Sequence, residues 1–134
     1  MAKLEDIEGI GAIYAEKLTA IGVKSVEDLL EKSITPKGRK ALAAESGISG
    51  KLILRWANMA DLFRIKGVGE EYADLLEAAG VDTVPELAQR NAANLHAKMA
   101  QVNDEKKLVR QPPSAKAVEG WVAQAKELPR KLTY

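Results

Sequence analysis

Apolar residues recur along this chain every three or four positions, the spacing that places side chains on one face of an α-helix. Tyr14, Leu18 and Ile21 share such a face. The longest stripe lies near the middle of the chain and consists of Leu52, Ile53, Trp56, Met59, Ala60 and Phe63. No segment alternates apolar and polar residues long enough to predict a strand. The pattern therefore predicts an all-α fold.

Short polar signals divide this pattern into separate helices. Gly22 and Gly80 stand where a left-handed residue would end a helix. Thr35-Pro36 predicts another helix start, because proline favours the first helical position. Side chains able to accept from backbone N–H groups predict further helix starts at Ser25, Ser49, Thr83 and Ser114.

The chain contains an internal repeat. A shift of 58 aligns residues 7–30 with residues 65–88 without a gap, and 11 of the 24 pairs are identical. A weaker echo pairs Trp56 with Trp121 at a shift of 65. Self-similarity of this kind indicates duplication. We predict two repeats, residues 1–64 and 65–134, each with a glycine hairpin, a following helical pair and a closing tryptophan helix, packed as two bodies or as one.

Composition narrows the function. The chain has 134 residues, no Cys, one His and a net charge of +1, so it lacks the global basic excess of a dedicated nucleic-acid binder. Residues 98–134 are locally basic. No disulfide can form, and neither a membrane span nor a signal-peptide run is present, so we expect a cytoplasmic protein. No metal site, cofactor fingerprint or acid/base pair is evident, and we predict no enzymatic activity.

Two short glycine motifs stand ahead of helices, at Ile7-Glu8-Gly9-Ile10-Gly11 and Ile65-Lys66-Gly67-Val68-Gly69. They resemble the hairpin of the helix-hairpin-helix family. The resemblance implies that both glycines of each hairpin turn the chain at positive φ and that the apolar residue between them points inward. Backbone N–H groups then face outward beside a helix N-terminus, where an anion is favoured. Members of the family bind a DNA phosphate there without reading sequence, and some hold a monovalent cation.

The second hairpin is the better candidate for phosphate contact. Lys66 lies within it and Arg64 just before it, whereas the first hairpin carries Glu8. Glu70 and Glu71 follow the second hairpin and would repel a phosphate. The predicted nucleic-acid contacts in the hairpins are Arg64, Lys66, Gly67, Val68, Gly69, Gly9, Ile10 and Gly11. Auxiliary basic side chains are predicted at Lys37, Arg39, Lys40, Lys106, Lys107 and Arg110.

The same residues also allow a structural interpretation. In it the hairpins only pack helices together, and the protein is an adaptor that binds another protein. The aromatic residues Tyr14, Tyr72, Trp56 and Trp121 are expected to pack in the core, with the tyrosine hydroxyls near the surface. His96 is expected to be partly exposed.

Over its full length the chain is similar to an uncharacterised bacterial family of tandem helix-hairpin-helix proteins, a domain of unknown function. The hairpins with their Tyr-Ala helices carry the resemblance, together with the blocks at residues 35–40 and 54–62. It implies a bundle of two helix-hairpin-helix repeats but no established activity. The leading hypothesis is a non-catalytic protein that binds double-stranded DNA weakly and without sequence preference. The alternative is the protein adaptor.

Overall fold

The chain folds into helices joined by short turns. The computed structural model describes residues 2–134. A short 3₁₀ turn at Leu4–Asp6 precedes eight α-helices. These are α1 (Ala12–Ala20), α2 (Val26–Lys32), α3 (Pro36–Ser46), α4 (Gly50–Leu62), α5 (Glu70–Ala78), α6 (Val84–Ala88), α7 (Ala92–Lys106) and α8 (Ala115–Glu127). No strand occurs among the described residues, and the all-α prediction is confirmed.

Side-chain caps start most of these helices. Ser25 Oγ accepts from the backbone N–H of Asp28 at 3.1 Å, and Thr35 Oγ1 accepts from that of Gly38 at 3.0 Å. Such a cap satisfies one of the N–H groups that a helix start leaves without an intrahelical partner. The same arrangement starts the remaining helices predicted from polar signals, at Ser49, Thr83 and Ser114.

Two helices end in the same way, one in each repeat. Gly22 has φ +90° and Gly80 has φ +95°. After α1, the N–H of Val23 donates to Leu18 O at 3.0 Å and that of Gly22 to Thr19 O at 3.1 Å. This pair of bonds is the Schellman motif, which requires a left-handed residue after the helix. The predicted left-handed glycines are therefore confirmed.

The described chain divides into two compact units. Unit 1 comprises Met1–Asp61 together with Lys131–Tyr134, and unit 2 comprises Leu62–Arg130. The boundary near residue 62 lies close to the division drawn from the repeat. Lys131–Tyr134, here named the C-terminal tail, was assigned to the second repeat from sequence but packs with unit 1.

Arg39 holds this tail in place. Its Nη1 donates to Ser33 O at 2.8 Å and to Ile34 O at 3.2 Å, and its Nη2 donates to Thr133 O at 2.7 Å. The backbone N–H of Thr133 donates back to Ile34 O at 2.8 Å. Arg39 is only 8% exposed, so these bonds form where water competes little.

None of the helices in the described part of the chain is both long enough and apolar enough to cross a membrane.

Candidate nucleic-acid interface

The two glycine motifs form equivalent turns, here named turn 1 (residues 7–11) and turn 2 (residues 65–69). Gly9 has φ +96° and Gly67 has φ +93°. Gly11 and Gly69, in contrast, are extended, with φ −90° and −107°. The prediction that both glycines of each motif adopt positive φ is therefore wrong for the second glycine. That residue serves as the N-cap of the following helix, a position with ordinary extended geometry.

The apolar residue between the glycines points inward in both turns. Ile10 is 4% exposed and Val68 is 6% exposed, which confirms the expected anchoring. Ile10 and Val68 are thus packing residues, and a nucleic acid could contact only their backbone.

A tryptophan packs directly beneath the first glycine of each turn. A Cβ built on Gly67 would lie 3.1 Å from Trp121 Nε1, and one built on Gly9 would lie 3.4 Å from Trp56 Nε1. Each indole also contacts the half-buried tyrosine of the helix that follows the turn. Ring centroids are 5.1 Å apart for Tyr14 and Trp56, and 5.2 Å apart for Tyr72 and Trp121. The predicted core role of both tryptophans is confirmed. The glycine–indole contact gives a structural reason for the tryptophan on the closing helix of each repeat, α4 and α8.

The helices after the two turns lack the side-chain caps found elsewhere. Gly11 and Gly69 are the N-caps of α1 and α5, and neither has a side chain to accept a hydrogen bond. The other six described α-helices are capped by Ser, Thr or Asn side chains. No N-cap side chain therefore competes with an external acceptor at the start of α1 or α5, and a helix N-terminus favours anions.

Turn 2 is fastened to α8 through the backbone of Lys66. Gln124 Oε1 accepts from the Lys66 N–H at 2.9 Å, and Gln124 Nε2 donates to the Lys66 carbonyl at 3.2 Å. The Lys66 side chain remains exposed. Arg64 donates from Nη2 to Pro129 O at 2.6 Å. Of the two basic residues predicted at this turn, Lys66 therefore presents its charge to solvent, whereas Arg64 fastens the residues after α8.

A basic loop lies beside the start of α5. The Tyr72 hydroxyl donates to Gln111 O at 3.2 Å, which joins the first turn of α5 to the segment between α7 and α8. This segment, residues 107–114, is here named the basic loop because it carries exposed Lys107 and Arg110, directly after exposed Lys106. Three of the predicted auxiliary residues are thus in unit 2 with Lys66, and Arg110 adjoins the residue that contacts α5.

Asn103 fixes the shape of the basic loop. Its Oδ1 accepts from the Val109 N–H at 2.9 Å, and its Nδ2 donates to Val109 O at 3.2 Å. Asn103 is 7% exposed, as is Val109. Lys107 adopts φ +54°, the only non-glycine residue described with positive φ. The loop is therefore held by specific bonds, which limits the entropy lost when its basic side chains bind a ligand.

Turn 1 differs from turn 2 in the side chains around it. A Cβ on Gly9 would lie 3.2 Å from Arg55 Nη1, so a guanidinium stands beside this turn. Sequence reasoning missed Arg55, because it lies 46 positions from Gly9 and its counterpart in the second repeat is Gly120. The first turn of α1 has no acidic residue, and its Ile13 is 71% exposed. The first turn of α1 thus presents an apolar side chain where the first turn of α5 presents Glu71.

The three auxiliary residues of α3 belong to unit 1. Lys37 and Lys40 are exposed. Arg39 is buried by its bonds to three carbonyl oxygens, so its prediction as a nucleic-acid contact is wrong. Periodicity could not show this, because the partner Thr133 lies 94 residues away.

Unit 1 also contains an apolar groove that the sequence did not reveal. It has a volume of about 310 Å³ and lies along α3 and the start of α4. Its lining residues are Pro36, Arg39, Lys40, Ala43, Gly50 and Leu54, and it is here named the α3/α4 groove.

No cluster of His, Cys, Asp or Glu suited to a metal ion occurs among residues 2–134. His96 is half-buried on α7, as expected.

The fold defines an all-α protein of two compact units with a glycine turn in each. Residues 8–128 match the DUF4332 family, which is described as a domain of unknown function, and the chain belongs to that family. No solved structure matches it.

Proposed function

We propose that this protein is a tandem helix-hairpin-helix protein of the bacterial cytoplasm that binds double-stranded DNA through its sugar-phosphate backbone, without sequence preference and without catalysis. Turn 2 is the primary contact. The observation that carries the proposal is the Tyr72–Gln111 hydrogen bond, since it joins the uncapped start of α5 to the basic loop.

A phosphate at turn 2 would meet two kinds of attraction. The first-turn N–H groups of α5 and the helix dipole favour an anion at this end. Lys66 and Arg110 add positive charge and supply the counterion release from which most non-specific DNA affinity comes. Lys106 and Lys107 extend the basic surface at the other end of the loop.

Glu70 and Glu71 oppose this attraction. Both lie in the first turn of α5. Each carboxylate repels a phosphate at about 6 Å by roughly 0.7 kcal/mol in water. The expected interaction is therefore weak, and it depends on a small number of phosphate contacts.

Fluorescence anisotropy with a labelled 20-base-pair duplex tests the proposal. At about 50 mM salt we expect saturable binding that weakens at about 200 mM, with a slope corresponding to two to four released counterions. Two DNA sequences of the same length should bind equally, because phosphate contacts carry no sequence information. Absence of binding at the lower salt, or binding without a salt slope, would contradict the proposal.

Charge-reversal variants locate the contact. Lys66→Glu and Arg110→Glu should each weaken binding several-fold, whereas Lys98→Glu serves as the matched control. Lys98 is an exposed residue of α7 about 12 Å before Lys106 along the helix axis. All three variants should retain the helical circular-dichroism spectrum. If the control weakens binding as much as the other two, the affinity comes from overall charge and turn 2 is not the site.

A further inference from the structure

The α3/α4 groove of unit 1 is an open apolar depression. On α3 it is lined at Pro36, Arg39, Lys40 and Ala43, which share one helix face. On α4 it is lined by Gly50 and Leu54. Its volume of about 310 Å³ stands at the lower end of the range for ligand pockets, about 300–1,000 Å³. A groove of this size accommodates one or two bulky side chains rather than a large cofactor.

Small residues keep the groove empty. Ala43 contributes only a methyl group, and a Cβ added at Gly50 would meet no atom within 4 Å. The chain therefore leaves an apolar surface open to solvent at a place where one larger side chain would fill it.

The walls of the groove are fixed. Arg39 is anchored by its bonds to Ser33, Ile34 and Thr133. The turn between α3 and α4 is held by Gly47 at φ +74° and by the buried Ile48. A preformed groove binds a partner with little ordering cost in the protein.

Positive charge surrounds the groove. Exposed Lys40 lines it, and exposed Lys37 and Lys51 stand next to lining residues on the two helices. Residues 36–62 hold five basic side chains and only two acidic ones, although the whole chain has a net charge of +1. Arg39 and Asp61 are both buried, which leaves four basic side chains against one acidic side chain in this segment. An acidic occupant is therefore favoured over a basic or neutral one.

An exposed aromatic residue lies beside the same helices. Tyr134 is 60% exposed, and its ring centroid is 5.3 Å from the guanidinium carbon of Arg39. Its hydroxyl donates to Asn58 Oδ1 at 2.7 Å, one helical turn after Leu54. Tyrosine is enriched in protein interfaces, because it offers a large contact area at low entropic cost.

We propose that the α3/α4 groove docks an acidic segment of a partner protein, with a bulky apolar side chain of that segment seated between Ala43 and Leu54. Carboxylates flanking the seated side chain pair with Lys37, Lys40 and Lys51. Nucleic acid is a poor occupant, since the Arg39 guanidinium already bonds to three backbone carbonyls and the lining, apart from Lys40, offers phosphate no other charged donor. This binding function is separate from the proposed DNA contact of unit 2.

Selection from a displayed library of random 12-residue peptides against the full chain tests the proposal. We expect enrichment of peptides with Leu, Ile, Phe or Trp flanked by Asp and Glu. The enriched peptide is then synthesised with a fluorescent label, and its affinity is measured by anisotropy. Lys40→Glu should weaken binding about tenfold at 50 mM salt, because it converts an attraction into a repulsion. Lys24→Glu, elsewhere in unit 1, is the charge control and should change the affinity less than twofold.

Filling the groove provides a matched pair of variants. Ala43→Trp places an indole in the groove and should abolish peptide binding, whereas Ala44→Trp, on the exposed side of α3, should leave it within about twofold. Circular dichroism checks that both variants fold. The proposal is overturned if no acidic-apolar sequence is enriched, or if Ala43→Trp binds the peptide as tightly as Ala44→Trp does. It is also overturned if duplex DNA displaces the peptide and Lys40→Glu weakens the binding of DNA but not that of the peptide.

Discussion

Replacing Gly67 by alanine tests the physical account of the glycine turns. Gly67 has φ +93°, a region that L-residues avoid because Cβ approaches the backbone. The added methyl would also lie 3.1 Å from Trp121 Nε1, closer than a carbon normally approaches a ring nitrogen. The indole is 4% exposed and packs on Tyr72, so it has little room to retreat.

The two costs are of similar size. Backbone strain at positive φ costs about 1–2 kcal/mol for a non-glycine residue, and forcing an extra carbon into a packed site costs about 1–3 kcal/mol. Gly67→Ala should therefore lower the free energy of unfolding by about 2–5 kcal/mol, a large part of the stability of a small domain. Gly9→Ala repeats the test in unit 1, where the neighbouring atoms are Arg55 Nη1 and Trp56 Nε1.

The second glycine of each turn provides the control. Gly69 is extended, and a Cβ there meets no atom within 4 Å. Gly69→Ala should therefore cost less than about 1 kcal/mol. Gly69→Ser should stabilise the protein by a few tenths of a kcal/mol, because serine is a slightly better N-cap than glycine. The same serine would occupy an N–H group proposed to face phosphate and should weaken DNA binding.

Urea unfolding followed by circular dichroism and tryptophan fluorescence measures these differences. The expected order of stability is Gly69→Ser, wild type, Gly69→Ala and then Gly67→Ala. The account fails if Gly67→Ala unfolds within 0.5 kcal/mol of wild type, or if the two alanine variants lose equal stability.

Three further predictions concern other parts of the molecule. The pKa of Asp82 is raised above 3.8 by desolvation and by the carboxylates of Glu86 and Glu77. The folded state therefore loses stability as the pH rises from 3.8 through the raised pKa. In urea unfolding, Asp82→Asn and wild type should have the same midpoint below this pH interval, and Asp82→Asn should have the higher midpoint above it. Arg39→Lys should lower the unfolding free energy by about 2–4 kcal/mol and expose the C-terminal tail to carboxypeptidase, because lysine cannot reach all three carbonyls. Asn103→Leu should cost about 1–3 kcal/mol and accelerate hydrogen exchange in the basic loop.

Local chemistry made much of the fold predictable. Ser25 and Thr83 cap helices because a hydroxyl next to a helix start has one favoured partner, a backbone N–H three residues later. Gly22 and Gly80 end helices because glycine alone takes the required φ without strain. Each of these effects acts within a few residues, so sequence spacing contains them.

The features that sequence missed depend on distant partners. Burial of Arg39 depends on Thr133, and the guanidinium beside Gly9 comes from Arg55. The candidate site was predictable in part for the same reason. The turns were evident from spacing, whereas the junction with the basic loop depends on a tyrosine hydroxyl 39 residues from its acceptor.

The C-terminal tail makes the completion of unit 1 depend on residues that are synthesised after all of unit 2. Domains generally fold as they emerge, the N-terminal one first. Unit 1 includes Lys131–Tyr134, whereas every residue of unit 2 lies between 62 and 130. Unit 2 can therefore complete its packing while unit 1 still waits for Thr133 to bond with Ile34 and Arg39. A chain truncated before residue 131 would keep every residue of unit 2 but would lack the tail that bonds to Ile34 and Arg39 of unit 1.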